Sequence, residues 1–189
     1  LKTLEEKEFI AGFAEIVKAG AIRDENIISY LEDNYEKALN KDADIINKLV
    51  YDSIIIKANV VESDEKEKGE RRILNFGHTF AHSFEKLTGM LHGEAVSAGM
   101  VLASKLSVKL NLIREKDYLR IRKLLENLKL PTVINLETAE IFKIMKQDKK
   151  REGESLHLVL LKKIGNAIIK QVSLKQLEEM IYDLRRDIR

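Results

Sequence analysis

The 189-residue chain carries 33 basic and 31 acidic side chains for a net charge of +2, with 44% apolar residues and no cysteine. That balance suggests neither a nucleic-acid partner nor a membrane surface, and the lack of cysteine excludes disulfides, thiolate catalysis and cysteine-ligated zinc. No apolar run approaches the roughly 18 to 20 residues that span a bilayer and no basic-then-apolar leader opens the chain, so the cytoplasm is the expected location.

Apolar residues recur at helical spacing from Leu4 to Lys18 through Phe9, Ile10, Phe13, Ala14 and Val17, and Gly20 stands where a C-cap is expected. Asp24 is placed to cap a second helix over Ile27, Ile28 and Leu31. Asp42 or Asp44 is placed to start a longer third one through Ile45, Leu49, Ile54 and Val60. Residues 62–70 read as a charged loop. The pattern then predicts helices over 71–88, ended by Gly89, over 93–110 and over 116–130, the last stopping before the only proline, Pro131. A further helix fits 138–146.

Beyond Gly153 the period changes from about 3.6 to 2 through Leu156, Leu158 and Leu160. This predicts a hairpin whose second strand is 167–172, joined through Ile164, Gly165 and Asn166. Ser173 can cap a final helix with Leu174, Leu177, Met180, Ile181 and Leu184 inward. The expected fold is therefore mainly α, a multi-helical bundle with a small two-stranded β-hairpin near the C-terminus. No βαβ alternation or Gly-rich turn provides a dinucleotide cradle.

Three of the four histidines, His78, His82 and His92, fall within fifteen positions. On one helix, Asn75, His78, His82 and Glu85 would share a face. His92 would enter the next helix, where the positive end of the dipole disfavours imidazolium and keeps the ring in the form that binds metal. A histidine pair four residues apart is equally compatible with a satisfied surface or core pair; a third histidine and a carboxylate shift the balance toward a zinc-type site with an open position. The carboxylate is Glu15, set among small and apolar neighbours where an unpaired charge is costly. Lys18, one turn on, can meet it as an ordinary intrahelical ion pair. Lys57, in an apolar run, can snorkel to solvent, and residues 67–71 taken alone are a solvated charge run.

Taken in order, Gly12–Lys18 (GFAEIVK), Asp64–Arg71 (DEKEKGER), Asn75–His82 (NFGHTFAH) and His92–Val96 (HGEAV) resemble the signatures of the 3-dehydroquinate synthases. Asp148–Lys150, Leu158–Leu161 and Ile164–Gly165 are similar too, so the likeness spans essentially the whole chain. Ala81 stands where the family usually has glycine, Ala11 where a polar cofactor contact can occur, and the spacing from His82 to His92 is shorter than in many relatives.

The resemblance implies that Glu15, His78 and His92 ligate a divalent metal, Zn2+ or Co2+. It implies that Lys18, Lys57, Arg71, Asn75 and a lysine of the Lys149 and Lys150 pair hold the phosphate, carboxylate and hydroxyls of a sugar phosphate. Glu67 and His82 would handle protons, and Thr3 would approach NAD. The implied activity is that of a lyase of the shikimate pathway, converting 3-deoxy-D-arabino-heptulosonate 7-phosphate to 3-dehydroquinate and phosphate. Because the chain opens at Leu1 directly into a helical pattern, an N-terminal α/β domain that binds NAD is expected to be missing from it, and the family suggests a homodimer. The rival readings are another sugar-phosphate cyclase of the inosose or valiolone type, a metal-dependent alcohol or glycerol dehydrogenase, and a folded helical half without activity of its own.

Overall fold

The computed structural model describes residues 3–64, 69–147 and 155–186. In chain order they form α1 (Glu6–Arg23), α2 (Glu25–Leu39), α3 (Ala43–Ser63), a 3-10 turn (Glu70–Asn75), α4 (His78–Thr88), α5 (His92–Lys109), α6 (Glu115–Asn127), α7 (Thr138–Gln147), β1 (Ser155–Lys163), β2 (Asn166–Ser173) and α8 (Leu174–Arg186). The mainly α bundle with one antiparallel hairpin is thus the architecture observed, and no helix among the described residues is long and apolar enough to cross a membrane.

α5 is the axis of the bundle. Its side chains are buried on almost every face, because α1, α4, α6, α8 and β1 all pack against it. So many neighbours fit because α5 is rich in small residues, among them Gly93, Ala95, Ala98, Gly99 and Ala103. A Cβ on Gly93 would lie 2.1 Å from the Ala11 carbonyl oxygen, and one on Gly99 2.2 Å from the Gly77 carbonyl oxygen. The first turn of α5 is therefore pressed against the middle of α1, and its second against the start of α4.

Polar side chains inside the bundle tie its parts together. Ser107 donates to the Ala103 carbonyl (2.8 Å) and accepts from the Leu161 amide (3.0 Å), joining α5 to β1. Ser97 donates to the Pro131 carbonyl at 2.8 Å, which fixes the segment after α6. In β1, Val159 and Leu161 are buried as well as Leu158 and Leu160. The simple alternation expected there gives way because α5 and the 3-10 turn both pack on that strand.

The caps expected at Asp24, Asp42 and Ser173 are all made, each through a side-chain oxygen accepting from a backbone amide two or three residues on. The helix expected over 116–130 ends at Asn127, and two other boundaries differ from expectation. Gly20 does not end the first helix, which continues to Arg23; instead its missing side chain admits Ile28 of α2, whose Cδ1 would be 2.9 Å from a Cβ there. The single helix expected over 71–88 is broken: residues 70–75 form a 3-10 turn, and Gly77, at φ +82°, redirects the chain before α4 begins at His78. Asn75 is therefore not on the same helix as His78, His82 and Glu85, although it still reaches the same cleft.

Candidate metal centre

Glu15 lies in the middle of α1, while His78 and His92 are the first residues of α4 and α5. The close approaches at Gly93 and Gly99 bring those two helix starts to the flank of α1. One ligand atom from each of Glu15, His78 and His92 lies within 4.8 Å of the others. His78 Nε2 is 4.0 Å from Glu15 Oε1, and the two imidazole rings are 5.1 Å apart at 65°.

Hydrogen bonds fix which nitrogen of each ring faces the site. His78 Nδ1 lies 3.3 Å from the Phe76 carbonyl, and His92 Nδ1 lies 2.8 Å from Glu85 Oε1. Carbonyl and carboxylate oxygens accept only, so in the neutral form of each ring Nδ1 carries the hydrogen and Nε2 keeps its lone pair. Burial, reinforced by the Lys18 cation, holds the His78 pKa down at about 4, against the opposing pull of the Phe76 carbonyl and Glu15. The ring is neutral at physiological pH. For Glu15, burial pushes the carboxyl upward, but the charge and hydrogen bond of Lys18 outweigh it and the net shift is downward. Two imidazole nitrogens and one carboxylate, with His78 neutral and Glu15 ionised, form a donor set that fits a divalent ion such as zinc.

Lys18 Nζ bridges both oxygens of Glu15 at 2.9 and 2.7 Å. The intrahelical ion pair foreseen from the sequence is real, and it is sunk in the protein: Lys18 is only 6% exposed. Burial draws its pKa downward, Glu15 opposes this, and the nearby Lys57 adds to the lowering. Glu15, Lys18, Lys57, Asn75, His78 and His92 all line one cleft of about 580 Å³, whose remaining wall is largely apolar and includes Phe9, Phe13, Ile16, Ile54 and Leu74.

The other expected residues stand elsewhere. The His82 ring is 6.1 Å from that of His78 and perpendicular to it, one turn along α4, but His82 does not line the cleft. Arg71 is half-buried in the 3-10 turn, where its amide, with that of Gly69, donates to Asp64 Oδ2; it too is outside the cleft lining. Thr3 is an exposed turn residue next to Leu4, which does line the cleft. Glu67, Lys149 and Lys150 lie outside the described residues. Glu85 was legible only as a member of the His78 face; its partnership with His92 depends on the reversal at Gly89, which periodicity does not encode.

A carboxylate and two histidines, a set that could hold a metal ion, converge from three helices beside a buried lysine, within the fold of the C-terminal domain of the sugar-phosphate cyclases. Solved structures share that fold. A 2-epi-5-epi-valiolone synthase from Streptomyces hygroscopicus, determined with NAD+ and Zn2+ bound, superposes with a TM-score of 0.85 at 24% identity, covering 98% of this chain and 53% of that one. A 2-deoxy-scyllo-inosose synthase complexed with carbaglucose-6-phosphate, NAD+ and Co2+ gives 0.82 at 25% identity, covering 96% and 53%. Among curated proteins, the 3-dehydroquinate synthase of Acidithiobacillus ferrooxidans is 44% identical over 173 residues, 89% of this chain and 48% of its own length. That of Coxiella burnetii is 42% identical over 188 residues, 96% of this chain and 52% of its own. Residues 12–151 match the 3-dehydroquinate synthase C-terminal family, and the chain belongs to it. It spans about half the length of the curated relatives it matches.

Proposed function

We propose that the chain is the metal- and anion-holding half of a 3-dehydroquinate synthase, a phosphate-eliminating lyase acting on 3-deoxy-D-arabino-heptulosonate 7-phosphate. The observation that carries this reading is the convergence of Glu15, His78 and His92 within 4.8 Å, in a cleft that Lys18 and Lys57 also line. When bound, a divalent ion acidifies a hydroxyl that it contacts, and NAD takes up and returns the hydride.

The chain's own residues supply the rest. Glu15, His78 and His92 would hold Zn2+ or Co2+, since two imidazoles and a carboxylate suit either ion. Lys18 and Lys57 place positive charge where a phosphate or carboxylate would lie, and desolvation at Lys18 strengthens that attraction. Asn75 offers an amide to sugar hydroxyls from the cleft wall. Arg71 and a lysine of the Lys149 and Lys150 pair would complete the anion site, with Glu67 and His82 moving protons.

The described residues contain a single antiparallel hairpin and no parallel strand-to-helix crossover. They offer NAD no cradle beyond the neighbourhood of Thr3, so NAD would be held by an N-terminal α/β domain, consistent with relatives about twice this length. A cytoplasmic homodimer is part of the same proposal. The cyclases of the inosose and valiolone type share the fold, but identity falls from 44% to 24% between the dehydroquinate synthase and the valiolone synthase, which favours the former.

The test is phosphate release from the heptulosonate 7-phosphate with NAD and Co2+, measured for this chain and for a polypeptide of the relatives' full length. Release by the long form supports the reading. Neither form releasing phosphate while metal is bound would refute it and send the search to other cyclase substrates.

A further inference from the structure

His92 is the most exposed of the three candidate ligands, with 51% of its side chain open to solvent. Packing alone does not fix such a ring. Its neighbour Glu85, on the last turn of α4, is better anchored at 29% exposure, and its Oε1 lies 2.8 Å from His92 Nδ1. The contact spans the reversal at Gly89 and joins the end of α4 to the first residue of α5.

We propose that Glu85 is a positioning residue for the metal centre: it holds His92 as the Nδ1–H tautomer with Nε2 turned to the cation. This rests on the metal reading given above and deepens it. Glu85 is not a member of the group whose ligand atoms lie within 4.8 Å, so its part is to act through His92. His78 receives the same orientation from the Phe76 carbonyl, a backbone group that no substitution of a side chain removes. The two rings are thus aligned by different means, and only the one on α5 depends on a side chain. A carboxylate behind an imidazole also makes the free nitrogen a stronger donor, which raises affinity for a cation.

Calorimetric titration of the whole chain with Co2+ tests this, using wild type, Glu85→Gln, Glu85→Ala and His78→Ala, with urea unfolding of each metal-free form alongside. The expected result is one site in the wild type, abolished by His78→Ala. Affinity should fall roughly tenfold in Glu85→Gln, which keeps an accepting oxygen, and up to about 100-fold in Glu85→Ala, with metal-free stability unchanged. Unchanged affinity in both Glu85 variants overturns the positioning role and leaves the metal reading standing. A loss of affinity matched by a loss of metal-free stability overturns it as well, in favour of a merely structural bond. A wild type that binds no Co2+, or binding indifferent to His78→Ala, removes the metal reading and the role of Glu85 with it. Long-range ¹⁵N–¹H spectra of the unsubstituted metal-free chain provide a check without variants: the Nδ1–H form of His92 is expected, and the Nε2–H form would overturn the proposal.

Discussion

Replacing Gly93 by alanine probes the contact that brings His92 to Glu15. The new Cβ would sit 2.1 Å from the Ala11 carbonyl oxygen, where ordinary contact begins at about 3.4 Å, so α1 and α5 must part by about 1 Å. The obstacle is backbone, which cannot swing aside as a side chain does. Overpacking of this kind costs about 1–3 kcal/mol. Because the displaced turn begins with His92, Co2+ affinity should fall as well, by roughly 100-fold if a displacement of that size acts on ligand geometry as it does on other positioned groups. Gly12→Ala is the matched control: it lies on the facing helix, its Cβ would have nothing within 4 Å, and removing a mid-helix glycine should stabilise by about 0.5–1 kcal/mol. Urea unfolding and Co2+ titration of both variants give the answer. Opposite signs of the stability change are expected. A Gly93→Ala chain as stable as wild type, with unaltered affinity, would show that the α1–α5 contact does not place the site.

Acid should destabilise the metal-free chain through His78. Its folded-state pKa, about 4, lies below the ordinary 6.5, so the unfolded chain binds more protons between those values and stability falls as pH drops through that window. The loss between pH 7 and 5 should be about 2 kcal/mol; it should vanish in His78→Gln, and urea midpoints at the two pH values check it. Lys18→Met removes a cation that sits on Glu15 and competes with any metal there. Co2+ should bind roughly three- to tenfold more tightly while phosphate release by the full-length form collapses, and calorimetry showing weaker Co2+ binding would contradict the assigned geometry. Arg120 joins α6 to α2 through Glu25, Ser29 and Glu32, with Nε 2.8 Å from Glu32 Oε1. Arg120→Ala should cost about 1–3 kcal/mol in thermal or urea unfolding and leave Co2+ affinity untouched, because none of these residues lines the cleft.

The helices and hairpin were readable because their apolar periods and their caps agree, as at Asp24 and Ser173. The break before His78 was not, because residues 71–76 carry a helical pattern, and the two things that demand glycine at Gly77, its φ of +82° and the approach of Met100 and Val96, arise only in the fold. Gly20 misled in the opposite sense: a glycine after a periodic run reads as a stop, whereas here it is a gap for Ile28. Within the site, Glu15, Lys18, His78 and His92 were legible through residue type and motif, and the structure brings them together. What decides their geometry is the packing of α5 on α1 and the Glu85 bond across a turn, both contacts between elements whose relative placement no local pattern specifies.

The proposed function requires Glu15, His78 and His92 to bind one divalent ion together. Anomalous diffraction at the zinc absorption edge, from crystals grown with stoichiometric Zn2+, tests it most directly. A single strong peak within coordination distance of the three side chains, lost in His78→Ala, is expected. A peak at any other place, or none at full zinc occupancy in solution, would contradict it.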